Sequence, residues 1–407
     1  MQTAFDVLIV GGGMVGASLA VALKDLPLSV CLVEAYPFAA PQQPAYDDRA
    51  IALSYGSSLI LQGMGVWSDL RRVTTPIERI HVSDRGHFGA TRITAKKQQV
   101  PALGYLVQSR NYGQVLQNVL ETSGVRLIQP AQLESIEVQT DCLSARTTQG
   151  TELTTRLLVA CDGAHSKVRT MVGIETDQHD YGQVAVIANI STEKPHCNQA
   201  FERFTEQGPI ALLPMSENRS SLVWTMHTNQ LEATLQLSDE DFLKALGEAF
   251  GYRLGRFTKT GQRSTFPLQL TSAKQLTSHR VAVIGNAAHT LHPVAGQGLN
   301  LALRDIADLA GQIANATLSQ QDVGADTVLA AYEAQRKADT ARTIRYTHSL
   351  VTLFSNDQFL LGHARAVSLM AMDRLSPLRQ LLARQSMGLL HRQSRLARGL
   401  PLVKEYS

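Results

Sequence analysis

A glycine-rich turn near the start of the chain constrains the fold more than any other feature. Residues 4–10 (AFDVLIV) form an apolar run that predicts a strand, and residues 14–26 then place apolar side chains at helical spacing. Between them, Gly11, Gly13 and Gly16 have the GxGxxG spacing. Such glycines give a tight turn, let a pyrophosphate approach the backbone at the helix start, and let the helix pack closely.

The strand that follows strengthens this interpretation. Residues 28–34 (LSVCLVE) are apolar up to Glu34, which ends the run. A carboxylate at that place can accept hydrogen bonds from the ribose hydroxyls of an adenosine. The strand, turn, helix and second strand together predict a dinucleotide-binding unit.

Length and composition exclude several classes of protein. A chain of 407 residues exceeds what one hydrophobic core usually serves, so we expect two closely packed lobes. Its 44% apolar and 18% charged residues are not typical of a disordered chain, and its net charge of +3 gives no sign of nucleic-acid binding. Four cysteines without a CxxC pair predict reduced thiols and no metal site. The N-terminal uncharged stretch lacks a basic flank, which predicts a cytoplasmic protein without signal peptide or membrane span.

Two further glycine-containing turns separate FAD from other dinucleotides. They are CDGAHSKVR at residues 161–169 and GNAAHTLHPVAGQGLNLALRD at residues 285–305. With the first turn, they resemble the three signature segments of the class A FAD-dependent aromatic hydroxylases, here called the first glycine turn, the DG segment and the GD segment. The resemblance covers nearly the whole chain and implies that the three segments enclose FAD. The cofactor-binding residues that it implies, beside Gly11, Gly13, Gly16 and Glu34, are Asp162, Gly163 and Arg169 of the DG segment, and Gly285, Asn286, Pro293, Gly296, Gln297, Gly298 and Asn300 of the GD segment.

One position departs from the family pattern. The family has an aspartate where this chain has Asn286. An amide can still donate to and accept from a ribityl hydroxyl, so we expect FAD binding to persist without the negative charge.

Further segments narrow the resemblance to one branch. VSDRGH (82–87), AFERFT (200–205) and GPIALLPMS (208–216) resemble the ubiquinone-biosynthesis hydroxylases. This implies a ring hydroxylase in which NAD(P)H reduces FAD, O₂ forms a C4a-hydroperoxide, and the ring of a polyprenylated phenol receives the oxygen. The implied substrate is 2-octaprenyl-6-methoxyphenol, the implied product is its 1,4-benzoquinol, and other proteins of ubiquinone biosynthesis are implied partners in a multi-enzyme assembly.

Less specific candidates complete the site. Arg49 matches an arginine that lies near the flavin in relatives, and Gln108 and Arg110 match a segment at a helix start that touches FAD. His289 and His292 in the GD segment are weak catalytic candidates beside Arg49, because loop histidines can transfer protons but are more often only hydrogen-bonded. The catalytic residues are otherwise unknown from the sequence.

The expected fold is a mixed α/β architecture. It comprises a discontinuous Rossmann-like FAD-binding domain (1–75, 101–175, 275–330), an interleaved β-sheet substrate domain (76–100, 176–274) and a helical C-terminal region (331–407). Within it, we expect a helix over 47–65, a hairpin over 77–94, a helix over 109–122 and a long helix over 298–317.

The C-terminal region is basic. Residues 371–407 hold seven Arg or Lys against two acids, so their net charge is +5. Helical spacing aligns leucines over 378–400 with arginines beside them, which predicts a basic amphipathic helix. It could pack on the catalytic lobes, bind a partner, or make peripheral contact with the inner membrane.

Two other functions compete with this interpretation. A sister ubiquinone-pathway hydroxylase acting at another ring carbon would have similar motifs. A non-catalytic FAD-fold protein that binds prenyl groups would keep the scaffold without turnover.

Overall fold

The computed structural model describes residues 3–37, 49–86, 90–291, 296–354, 376–390 and 394–403. In chain order the strands are β1 (Thr3–Val10), β2 (Val30–Val33), β3 (Ala50–Ser54), β4 (Thr74–Ile77), β5 (Arg79–Asp84), β6 (Ala90–Thr94), β7 (Gly104–Gln108), β8 (Arg126–Ile128), β9 (Leu133–Val138), β10 (Leu143–Thr147), β11 (Glu152–Ala160), β12 (Thr176–Thr192), β13 (Gln199–Thr205), β14 (Gly208–Pro214), β15 (Arg219–His227), β16 (Phe257–Thr260), β17 (Ser264–Ala273), β18 (Thr277–Ser278), β19 (Val281–Val283) and β20 (His289–Thr290). The helices are α1 (Met14–Leu23), α2 (Tyr55–Gly63), α3 (Trp67–Arg72), α4 (Ala95–Gln98), α5 (Ser109–Glu121), α6 (Lys167–Met171), α7 (Leu231–Leu235), α8 (Asp239–Phe250), α9 (Gln297–Leu318), α10 (Asp326–Phe354) and α11 (Ser376–Ser386).

The first sheet brings the glycine turns to one edge. Its order is β18-β19-β11-β1-β2-β8, and β19, β11, β1 and β2 run parallel to one another. The strands β2 and β19 are wholly buried apolar runs, as expected where helices cover both faces of a parallel sheet. The carboxyl ends of these neighbouring strands therefore meet, and each is followed by a segment singled out from the sequence.

The second sheet faces that edge. Its order is β20-β17-β12-β15-β14-β13-β5-β6, with β16 also paired to β12. One face packs on α8 in a core that includes Val186, Trp224, Phe242 and Phe250. The mixed α/β fold class is confirmed, whereas the domain boundaries stay a prediction.

The local elements agree with the sequence except over residues 47–65 and in the C-terminal region. The hairpin expected over 77–94 is β5 and β6, the helix expected over 109–122 is α5, and the long helix expected over 298–317 is α9. The helix expected over 47–65 is wrong in its first part, because residues 50–54 form β3. These residues pair with β7, so that Ala50 lies opposite Gln108, and the helix begins only at Tyr55.

The basic amphipathic helix expected over 378–400 is not continuous. Helix α11 ends at Ser386, and Gly388 follows with a left-handed φ of 68°. Leu396 is only 1% exposed and packs beside Gly63 of α2, whereas Leu381 on the expected apolar stripe is 57% exposed. The part around Leu396 therefore packs on α2, whereas Ala383 of α11 packs with Ile93 of β6. The regular stripe of leucines does not form.

Among the described residues, no helix is both long enough and apolar enough to cross a bilayer.

Candidate cofactor and substrate site

One cavity of about 700 Å³ lies between the carboxyl edge of the first sheet and the inner face of the second. Residues of all three glycine-containing segments line it, including Gly13, Gly163 and Asn286. The opposite wall is the apolar face of the second sheet. Its lining side chains include Ile80, Val82, Ile187, Ala200, Phe204, Ala211, Leu213 and Val223.

The glycines of the first turn have two different tasks. Gly11 has a φ of 99°, and an added Cβ would lie 2.6 Å from the carbonyl oxygen of Cys161. At Gly16 an added Cβ would lie 1.9 Å from the carbonyl oxygen of Gly11, so helix and turn touch there. A Cβ added at Gly13 would instead meet no atom within 4 Å, and Gly13 lines the cavity. Gly11 and Gly16 let the turn form, and Gly13 leaves room for a bound group.

Two helix starts face the cavity. Helix α1 begins after Gly13, and α9 begins after Gly296, whose φ of 58° is left-handed. Neither helix has an acidic residue in its first turn or a side-chain cap, so the N–H groups and partial positive charge remain available to an anion. Gly298 also has open space beside it and lines the cavity.

Glu34 follows β2 and lies beside the first glycine turn. Its carboxylate accepts hydrogen bonds from the backbone N–H groups of Gly12 and Tyr36, the latter at 2.9 Å. These contacts fix the carboxylate at the edge where an adenosine ribose would lie.

The DG segment is joined to the GD segment by a buried arginine. Arg169 donates from Nη1 to the carbonyl of Ala287 at 2.7 Å and from Nη2 to the carbonyl of Ala164 at 3.1 Å. Asp162 accepts hydrogen bonds from Ser166 and from the backbone of Val168. Cys161 and Gly163 line the cavity, whereas Asp162 and Arg169 do not. Asp162 and Arg169 therefore support the cavity wall through their hydrogen bonds without contacting the cavity.

The GD segment starts where β19 ends. Gly285 has a φ of 61°, and an added Cβ would lie 3.0 Å from both methyl carbons of Val15. Asn286 is exposed to the cavity, where its neutral amide can both donate and accept.

Asn300 fastens α9 to β3 and α2. Its Nδ2 donates to the carbonyls of Ala52 at 2.8 Å and Gly296 at 2.6 Å. Its Oδ1 accepts from the Ser54 N–H and the Ser57 hydroxyl, both at 2.7 Å. The side-chain amide is thus used by the protein itself, and Asn300 positions the cavity wall. Gln297, three residues earlier, is 3% exposed.

Arg49 and the start of α5 are neighbours. The Arg49 carbonyl accepts hydrogen bonds from the N–H and hydroxyl of Ser109, and its guanidinium lies 4.2 Å from the Phe266 ring centre. Burial lowers the pKa of Arg49. Gln108 is the N-cap of α5 and accepts a hydrogen bond from Asn111, while Arg110 is exposed. None of Arg49, Gln108 and Arg110 lines the cavity.

The structure gives His289 a place away from the cavity. It is 1% exposed, lies on β20, and its Nε2 is 3.0 Å from Asp305. A buried imidazole next to a carboxylate holds the GD segment against α9, and His289 does not line the cavity. This geometry favours a structural role, and the catalytic role of His289 stays a prediction. His292 and Pro293 lie outside the described residues.

Asp305 belongs to a buried ion-pair network between α9 and α10. Arg336, with no exposed surface, lies 2.7 Å from Asp305, 3.1 Å from Asp308 and 2.8 Å from Asp339. Burial acts to raise the pKa of Asp339, but Arg304 and Arg336 outweigh it and lower that pKa to about 2. The arginines therefore favour the ionised form of Asp339, whereas burial raises the pKa of Asp308. The ion pairs of the network fix the helix that carries the GD segment.

Two polar residues of the chamber were not singled out from the sequence. Glu202 of β13 and Tyr346 of α10 both line the cavity. The available signal was a carboxyl between Ala200 and Phe204 on one face of an apolar strand.

The comparisons with known proteins agree with this geometry. A family model described as FAD binding domain matches residues 4–347. The ubiquinone hydroxylase UbiL of Rhodospirillum rubrum is 37% identical over 98% of this chain and 93% of its own. The 3-demethoxyubiquinol 3-hydroxylase of Escherichia coli is 30% identical over 94% of this chain and 98% of its own.

A solved structure shows the same fold. The p-nitrophenol 4-monooxygenase PnpA of Pseudomonas putida superposes with a TM-score of 0.80 at 18% identity, covering 97% of this chain and all of that one. The open space above Gly13 and Gly298, beside two uncapped helix starts, fits the phosphates and ring of FAD. The chain therefore belongs to the FAD-binding-domain family, as an FAD-dependent monooxygenase related to the ubiquinone hydroxylases.

Proposed function

We propose that the protein hydroxylates the aromatic ring of a polyprenylated phenol in ubiquinone biosynthesis, converting 2-octaprenyl-6-methoxyphenol to 2-octaprenyl-6-methoxy-1,4-benzoquinol. The observation that carries this proposal is a continuous cavity that joins a glycine-lined edge to an apolar chamber. The relatives named as ubiquinone hydroxylases support the substrate class.

The cofactor side of the cavity is formed largely by backbone. We propose that Gly11, Gly13 and Gly16, with Glu34, receive the adenosine and pyrophosphate of FAD, and that Gly163, Gly285, Asn286, Gly296, Gln297 and Gly298 enclose the rest. Asp162, Arg169 and Asn300 support these segments by their hydrogen bonds. Bound FAD supplies the two-electron chemistry that activates O₂ toward an electron-rich ring.

The chamber side orients the ring and excludes water. Its wall of Ile80, Val82, Ile187 and Val223 offers few hydrogen-bonding groups, so water is held there weakly. An aromatic ring between this wall and Gly298 would lie beside the cofactor edge. Exclusion of water protects the activated oxygen from loss as hydrogen peroxide.

NAD(P)H is the proposed reductant. The sequence contains no second GxGxxG, so we propose that NAD(P)H binds transiently near the same cavity. Arg49 and Arg110 lie outside the cavity lining, and we propose that their positive charge attracts the phosphates of NAD(P)H.

The substrate must come from a lipid phase. An octaprenyl tail has about 40 carbons, and each buried CH₂ unit contributes roughly 0.8 kcal/mol to its retention there. We propose transfer from the inner membrane by peripheral contact, within an assembly of other ubiquinone-biosynthesis proteins. Arg384 and Arg398 are exposed on the C-terminal segment and form the candidate contact.

Turnover in ¹⁸O₂ tests the reaction. The purified FAD-loaded protein would be supplied with 2-octaprenyl-6-methoxyphenol and either NADH or NADPH, and the product examined by mass spectrometry and ring NMR. We expect one labelled oxygen at the carbon para to the hydroxyl. NAD(P)H oxidation that yields only peroxide would contradict the proposed substrate.

A sister hydroxylase is the second candidate. It is favoured by the 30% identity to a 3-demethoxyubiquinol 3-hydroxylase. The same NMR spectrum separates the two, because label at another ring carbon supports the sister activity. Tight prenyl binding without NAD(P)H oxidation would instead support a non-catalytic binding protein.

A further inference from the structure

The chamber contains one charged side chain among the described residues that line it. Glu202 is that side chain, and it lies on a sheet wall whose other lining residues are mostly apolar. A titratable side chain on the wall of a substrate cavity is a candidate for a chemical task.

The strand pairing explains why Glu202 faces the chamber. β13 lies between β5 and β14, and Glu202 is opposite Val82 on one side and Ala211 on the other. Val82 and Ala211 both line the cavity, and so do Ala200 and Phe204, two residues away on either side. Arg203, the next residue, lies on the other face beside Gly251. The period of two along a strand therefore directs the carboxyl inward.

Two helices contribute polar groups next to the carboxyl. Tyr346 of α10 lines the same chamber, and its hydroxyl shares a hydrogen bond with Ser386 at the end of α11. Burial raises the pKa of Tyr346, and the nearby charge of Glu202 raises it further. Tyr346 therefore keeps its proton and is not a proton acceptor at neutral pH. Among the described lining residues, Glu202 carries the carboxyl group that can accept a proton in this part of the chamber.

We propose that Glu202 is a catalytic residue that accepts the hydroxyl proton of the phenolic substrate. This inference rests on the proposed function. The phenol O–H bond breaks, the proton joins a Glu202 carboxylate oxygen, and the electron pair stays on the phenolate oxygen. No oxidant is needed for this step. The phenolate raises the electron density of the para carbon, where the oxygen is to be added.

The test compares two phenols in FAD-loaded protein. The variant Glu202→Gln keeps the shape but cannot take a proton at neutral pH, and Glu206→Gln, an exposed glutamate just beyond the strand, is the matched control. With 2-geranylphenol we expect kcat of Glu202→Gln to fall about 100-fold, while the control keeps the wild-type kcat. A ring-fluorinated 2-geranylphenol ionises more easily, so the loss with it should be less than about 10-fold.

Either of two results would overturn the inference. One is hydroxylation by Glu202→Gln at a wild-type rate, and the other is an equal loss with both phenols, which indicates a packing role. FAD content and the melting temperature of each variant identify unfolding.

A binding measurement separates this inference from the proposed function. If wild-type protein hydroxylates neither phenol, the proposed function fails, and the flavin absorbance change on binding still tests Glu202. We expect 2-geranylphenol to bind about 10-fold more tightly than its methyl ether, since a hydrogen bond to a charged group contributes about that much. Glu202→Leu should abolish this preference, and an unchanged preference would contradict the role.

Discussion

The two sides of the cavity are built in different ways. The cofactor side consists of turns at the ends of β1, β11 and β19, where glycines and backbone N–H groups form the surface. The substrate side consists of side chains that project from strands β5, β12, β13, β14 and β15. Backbone surfaces require particular residues at fixed spacing, whereas a side-chain wall requires only apolar residues of suitable size.

This difference determines what each side tolerates. At Gly16 a single added carbon meets backbone 1.9 Å away, but the chamber has open volume next to Ala211. We therefore expect changes on the cofactor side to affect folding and FAD content. Changes on the substrate side should affect which phenol is accepted.

The largest expected effect is on the buried network behind the cofactor side. Arg336→Met leaves Asp305, Asp308 and Asp339 buried without their shared partner, which should lower the free energy of unfolding by about 3–5 kcal/mol. Urea unfolding of the FAD-free protein measures it. The matched control is Arg72→Met, whose exposed pair with Asp69 spans 3.8 Å and should contribute less than about 1 kcal/mol. Equal stabilities of the two variants would contradict the role of the network.

The C-terminal segment should be the next largest contributor. Leu396 is buried against α2, so Leu396→Ala should cost about 2–5 kcal/mol of unfolding free energy. Leu381→Ala, at a position 57% exposed, is the control and should change stability by less than about 0.5 kcal/mol. If both variants kept wild-type stability but lost association with lipid vesicles, the leucines would bind the membrane surface instead of packing on the protein.

Substitutions at two glycines of the first turn should have different effects, one on folding and the other on FAD binding. Gly16→Ala pushes α1 away from the backbone of Gly11 and should lower the free energy of unfolding by about 1–3 kcal/mol. The purified variant should also lose bound FAD, measured by its flavin absorbance. Gly13→Ala, which meets no protein atom, should keep the stability of the FAD-free protein but raise the Kd for FAD by about 10-fold or more. Gly113→Ala inside α5 is the control, which should raise the unfolding free energy by about 0.5–1 kcal/mol and leave the Kd for FAD unchanged. An unchanged Kd in Gly13→Ala would contradict the placement of the cofactor.

The smallest effect on the protein itself is expected in the chamber. Ala211→Leu fills space near Glu202 and should raise KM for a prenylated phenol by about 10-fold, without changing FAD content or melting temperature. Steady-state kinetics and the flavin spectrum measure both properties. Loss of FAD in this variant would show that the two sides are not separable.

The same difference explains what could be predicted from the sequence. The glycine spacing and Glu34 indicated the first unit because a backbone turn leaves a fixed residue pattern. The hydrogen-bond partners of Arg169 and Asn300 could not be predicted, since each side chain bonds to a residue more than one hundred positions away. Burial of His289 against Asp305 depends on how separate strands and helices pack, which local spacing does not encode. The alternation along β13 places Glu202 on one face with Ala200 and Phe204, but which face lines the cavity depends on the same packing. The C-terminal leucine pattern was misleading because Gly388 ends the helical path.

The central claim is that cofactor and aromatic ring share one cavity. Titration of the FAD-loaded protein with 2-geranylphenol, followed by the flavin absorbance spectrum, tests it most directly. We predict a saturable spectral change in wild-type protein that weakens about 10-fold in Ala211→Leu. Binding of the phenol without any change in the flavin spectrum would contradict the claim, and so would an equal affinity in the two proteins.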